Sequence, residues 1–87
     1  MILDPNQKTN ITTATTTTVF TGTGVLDRIV VNTTAAGTII LKDGATAFAT
    51  LKASIGEGTY MYNVSIGTSL VVVTAAASDV TVTWRQG

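Results

Sequence analysis

Five side chains in this chain could carry acid–base chemistry: Asp4, Asp27, Asp43, Glu57 and Asp79. Such catalysis needs two groups close to one reacting atom, in environments that push their pKa values apart. Asp43 and Glu57 instead stand beside glycines in turn signals, Asp43-Gly44 and Gly56-Glu57-Gly58, and Asp79 precedes the last β-prone run, so they read as turn formers. Nor do the five acids gather into a calcium loop, which draws several oxygen ligands from one short segment. The chain has no His and no Cys. Thiolate catalysis, a nucleophile activated by an imidazole, disulfides and the common zinc sites are thereby excluded. No catalytic, cofactor or metal-binding residue is assigned, and the expectation is a protein that is not an enzyme.

Two glycine pairs, Gly22-Thr23-Gly24 and Gly56-Glu57-Gly58, have the spacing of phosphate-cradling loops. Neither leads into a helix or carries the Lys-Ser/Thr that such a loop needs, so both read as turns. Phe20, Phe48, Tyr60, Tyr62 and Trp84 could stack on bases, yet only Lys8, Arg28, Lys42, Lys52 and Arg85 could meet phosphates. With five cations balanced by five acids, no nucleic-acid partner is expected and the aromatics are assigned to the core. Tyr60 and Tyr62 leave one strand on the same side, which suits either a core anchor with hydroxyls at the rim or a platform for sugars or protein.

The elements that must position these residues are strands. Apolar residues make up 45% of the 87, charged residues only 11% against about 25% in ordinary domains, and Thr alone fills nineteen positions. β-branched Thr and Val pack well on a pleated surface, while the straight-chain helix formers are scarce. Thr9 to Phe20 is β-prone and breaks near Ala14 into two short strands. Val25 to Asn32 has two competing alternations, Val25, Ile29 and Val31 with Asp27 against Leu26 and Val30 with Arg28, which one bulge would reconcile. Thr38 to Lys42 and Ala47 to Lys52 flank Asp43-Gly44 as a hairpin. Thr59 to Ile66 alternates, with Tyr60, Tyr62, Val64 and Ile66 on one side. Leu70 to Thr74 reads as a strand covered on both faces, and Val80 to Arg85 alternates again with Val80, Val82 and Trp84 together.

Seven or eight short strands at this spacing predict an all-β fold, a single small antiparallel β-sandwich of jelly-roll or immunoglobulin-like type. It occupies residues 9–87. Residues 1–8 form an extended N-terminal arm, because Asp4-Pro5-Asn6 favours extended or turn geometry. A chain this short buries only about 60% of its unfolded surface, so association is a natural source of extra stability. An uncharged Thr-rich strand at a sheet edge invites a partner. The contact residues expected from these two features are Ile2, Leu3 and Pro5 of the arm and Thr15, Thr16, Thr17 and Thr18 of the strand. No apolar run approaches the length of a membrane span and the first residues lack a secretion signal, which predicts a cytoplasmic product with no membrane partner.

From Ile11 to Arg85 the chain resembles the short Thr- and Val-rich decoration-type proteins of tailed-bacteriophage virions. The resemblance is carried by Ile11-Thr12-Thr13-Ala14-Thr15-Thr16-Thr17-Thr18-Val19, by Gly24-Val25-Leu26 running on to Ile29-Val30-Val31-Asn32, and by Tyr62-Asn63-Val64-Ser65-Ile66. Leu70-Val71-Val72-Val73-Thr74 and Asp79-Val80-Thr81-Val82-Thr83-Trp84-Arg85 complete it. It implies a β-sandwich subunit, often a homotrimer, made in the host cytoplasm and placed on the capsid surface, with the major capsid protein or another virion component as partner. A tail, fibre or baseplate accessory protein and a small carbohydrate- or receptor-binding module are the alternatives.

Overall fold

The computed structural model describes residues 7–86. They form eight strands and, among the described residues, no helix: β1 (Gln7–Ile11), β2 (Thr16–Thr21), β3 (Gly24–Thr33), β4 (Ile39–Asp43), β5 (Thr46–Leu51), β6 (Gly58–Ile66), β7 (Ser69–Thr74) and β8 (Asp79–Gln86). Two four-stranded sheets, in the orders β1-β8-β3-β6 and β2-β7-β4-β5, contain only antiparallel pairs. The fold is thus a small all-β sandwich. Gln7 and Lys8, assigned to the arm from sequence, are the first residues of β1 and pair with Trp84 and Thr83. The arm's Ile2, Leu3 and Pro5 lie outside the described residues.

The break expected near Ala14 is where the Thr-rich stretch passes from one sheet to the other, between Ile11 and Thr16. Buried Thr74 holds this crossover: its hydroxyl donates to the Thr13 carbonyl at 2.6 Å and accepts from the Thr15 N–H at 3.1 Å. A polar side chain is tolerated at that depth because both of its hydrogen-bonding roles are used.

The core is aliphatic. Leu26, Ile29, Val31, Val80 and Val82 of the first sheet face Leu41, Leu70 and Val72 of the second, each under 2% exposed or nearly so. Burying a side chain of this kind contributes about 1.5–3 kcal/mol, and that set ties together strands distant in sequence. Phe20 and Trp84 close one flank with ring centroids 4.9 Å apart. Gly24 is small of necessity there, because a Cβ would lie 2.7 Å from the Phe20 ring and 2.6 Å from the Arg85 carbonyl oxygen.

The two alternations of β3 are reconciled by a bulge. Pairing with both β8 and β6 shifts between Leu26 and Arg28, so Leu26 points inward before the shift and Ile29 and Val31 after it. In β6 the Tyr60, Tyr62, Val64 and Ile66 side packs on the core. The Leu70 to Thr74 run departs from expectation. Leu70, Val72 and Thr74 are buried, but Val71 and Val73 are only half-buried, because β7 belongs to an antiparallel sheet with one face turned out. Within the single chain its run of valines is therefore covered on one side only.

Candidate functional site

The outward positions of the two sheets carry different chemistry. On β1-β8-β3-β6 they include Lys8, Asn10, Arg28, Asn32, Asp79 and Thr81, placed by the alternation with buried Ile11, Ile29, Val31, Val80 and Val82. The amide nitrogens of Asn10 and Asn32 both donate to Asp79 Oδ1, at 2.8 and 3.3 Å, and the Asn32 amide also reaches Thr81 Oγ1 at 3.2 Å. These bonds cross three adjacent strands. Arg28 is paired with its neighbour Asp27 at 2.7 Å.

On β2-β7-β4-β5 the outward row is Thr16 opposite Val73 opposite Ile40 opposite Thr50, with Thr18, Val71, Lys42 and Ala47 in register beside it. Lys42 is the only charged residue among these eight. The middle of the face is apolar, with Val71, Val73 and Ile40 half-buried only by their neighbours.

This geometry divides the predicted contact residues. Thr16 and Thr18 share the outer face of β2, which is an edge strand. Thr17 pairs with buried Val72 and is turned toward the interior. Thr15 precedes the strand, its backbone N–H and carbonyl bonded to the Thr74 hydroxyl and N–H. Of these four, only Thr16 and Thr18 therefore present their side chains together on this outer face.

Most of the aromatics are engaged. Tyr60 and Tyr62 pack against the core, the Tyr60 hydroxyl donates to the Gly56 carbonyl, and burial pushes the Tyr62 hydroxyl pKa up. Trp84 stacks on Phe20 and its Nε1 donates to Thr9 Oγ1 at 3.3 Å. The two tyrosines act as anchors with hydroxyls at the rim rather than as an open platform.

Phe48 corrects the assignment of all five aromatics to the core, since it is 36% exposed. Between Leu41, opposite Ala49, and Lys42, opposite Ala47, the register of β4 and β5 shifts. Phe48 is the extra residue of this bulge, which takes it out of the alternation that buries Leu51. Nothing in Ala47-Phe48-Ala49 announces the shift, because either register leaves a plausible apolar side chain inside.

Phe48 opens onto a hollow of about 410 Å³ lined also by Asp43, Thr46, Val64, Ser65 and Thr68. The hollow lies where the β4–β5 hairpin meets β6 and the turn into β7. Gly44, at φ +63°, makes the hairpin loop tight, and its N–H donates to the Ser69 carbonyl at 2.9 Å. Asp43 Oδ2 accepts the Gly67 N–H at 2.9 Å, and Oδ1 accepts those of Thr68 at 2.9 Å and Ser69 at 3.4 Å. The Gly67 and Thr68 N–H groups in particular hold this carboxyl below its ordinary value of 3.8, against a smaller opposing effect of desolvation.

Among the described residues no cluster of three His, Cys, Asp or Glu could hold a metal ion, and no helix is long and apolar enough to cross a membrane. Comparison with known protein families, with curated proteins and with solved structures found no match.

Proposed function

We propose that this chain is a structural virion protein of a tailed bacteriophage: a capsid decoration subunit of jelly-roll architecture that binds the assembled shell as a homotrimer and stabilises it. The observation that carries this reading is the outer face of β2-β7-β4-β5, apolar at its centre in Val71, Val73 and Ile40, bordered by Thr16, Thr18 and Thr50, and with Lys42 as its one charge. Such a face loses little by desolvation when it is covered, and exposed apolar patches on soluble proteins mark contact surfaces. The edge strand β2 beside it has neither charge nor proline to deter pairing. The sheet order β1-β8-β3-β6 over β2-β7-β4-β5 is compatible with a jelly roll, an architecture shared by viral capsid and lectin domains. A subunit that binds only the assembled lattice stabilises it by mass action.

Light scattering across a concentration series, followed by co-sedimentation with decoration-free shells, tests the proposal. The expected result is a trimer that sediments with the shells. A strict monomer that stays in the supernatant overturns it. Removal of residues 1–6, which leaves β1 whole, is expected to lower shell occupancy while the fold persists; unchanged occupancy removes Ile2, Leu3 and Pro5 from the contact.

A further inference from the structure

We propose that the hollow between the β4–β5 hairpin and the end of β6 binds one pyranose unit of a carbohydrate, with Phe48 as the stacking face and Asp43 as the hydroxyl acceptor. This goes beyond the virion role and does not rest on it. A pyranose ring has an apolar C–H face and a rim of hydroxyls that both donate and accept. Its binding site therefore needs an exposed ring, an acceptor of fixed position and further hydroxyls around one concavity.

The hollow supplies each of these. A phenyl ring large enough for the core is instead held outside it by the β5 bulge, and bulges recur where a side chain is re-aimed for function. The Asp43 carboxylate is immobilised by three backbone N–H groups, yet Oδ2 receives only one of them and keeps acceptor capacity for a ligand hydroxyl. The hydroxyls of Thr46, Ser65 and Thr68 line the same space and have no hydrogen-bond partner among the described residues. Val64, partly buried against the core, adds an apolar side chain to the lining. The volume of about 410 Å³ lies within the range of small-molecule sites, about 300–1,000 Å³. Because the hollow is open on one side, the affinity expected for a single sugar is weak, with a Kd of about 10 mM.

The test is an amide NMR titration of the full chain with the methyl glycosides of glucose, galactose, mannose and N-acetylglucosamine, taken to about 100 mM to saturate a site of that affinity. Glycerol, a polyol without a ring face, is the control. The expected result is saturable shifts with at least one glycoside, confined to residues 43–48 and 64–69, lost in Phe48→Ala and kept in Phe48→Tyr. The Phe48→Ala spectrum away from residues 43–48 and 64–69 should match that of the parent chain, since the ring lies outside the buried core. No saturable shift with any of the four glycosides overturns the proposal, as do equal shifts with glycerol or shifts that persist in Phe48→Ala.

Discussion

The two sheets of this sandwich bury much the same side chains and turn very different surfaces outward. Inside, Leu26, Ile29 and Val82 meet Leu41, Leu70 and Val72 in one aliphatic cluster. Outside, the strands of β1-β8-β3-β6 carry Lys8, Arg28, Asp79 and Arg85, whereas those of β2-β7-β4-β5 carry only Lys42 and Asp43. The first face ties polar groups of three strands together, through the bonds of Asn10 and Asn32 to Asp79. The second holds valine and isoleucine between rows of threonine and makes no such network. The inner faces must both be apolar for the fold to exist, so they cannot distinguish the sheets. The outer faces are free of that demand, and their difference therefore points to what each one meets.

The sharpest break in that comparison comes from adjacent residues of β7. Val72→Lys places a charge in the fully buried centre and is expected to cost more than about 4 kcal/mol, a large fraction of a small domain's stability. Val73→Lys, one residue on and half-buried, is expected to fold with a loss of about 1 kcal/mol but to associate no longer. Urea unfolding and light scattering read both effects. A Val73→Lys protein that still forms the parent oligomer and binds shells shows that the apolar face is not the contact.

A smaller effect is expected on the polar face. Asp79→Ala removes the acceptor shared by Asn10 and Asn32 and should cost about 0.5–1.5 kcal/mol in urea unfolding. Its oligomeric state should stay that of the parent chain. Loss of association in this variant would transfer the contact to β1-β8-β3-β6.

The smallest expected effect is a pH dependence at the hairpin end, which belongs to neither face. Asp43 has its folded pKa depressed below 3.8, chiefly by the Gly67 and Thr68 N–H groups. Its contribution to stability is thus fully present above the unfolded value and is lost as pH falls through the lower folded value. Thermal unfolding midpoints of the parent chain should fall with acid in that window, and those of Asp43→Asn should fall less steeply. Parallel curves would show that these three hydrogen bonds do not favour the charged form.

Most of the strand map was legible because its signals are local. The Asp43-Gly44 turn, the alternation of β6 and β8, the break near Ala14 and even the bulge in β3 follow from residues within one or two strands of each other. The site was less legible. The sequence pointed to Thr15–Thr18 as one group, and β2 separates them: Thr16 and Thr18 outward, Thr17 inward, Thr15 in the crossover. Phe48 looked like core because a bulge opposite Leu41 and Lys42 leaves no mark in Ala47-Phe48-Ala49. Asp43 was visible as a turn residue, but the three N–H groups that fix its carboxylate come from residues 24 to 26 positions away.

Sequence alone determined that the protein is built from short β-strands and lacks the imidazole and thiol groups that the most familiar nucleophiles and zinc sites use. Composition and period-two patterns depend only on neighbours along the chain, so no tertiary information is needed to read them. What only the tertiary structure decided is which strands share a sheet and which of each strand's two sides looks out. A period of two is symmetric between the faces of a strand, and the symmetry is broken by partners far away in the chain: Ile11 by Val80, Phe20 by Leu70, Ile39 by Thr74. Those long-range pairings turn Val71 and Val73 outward beside Ile40 and leave Phe48 at the mouth of a hollow.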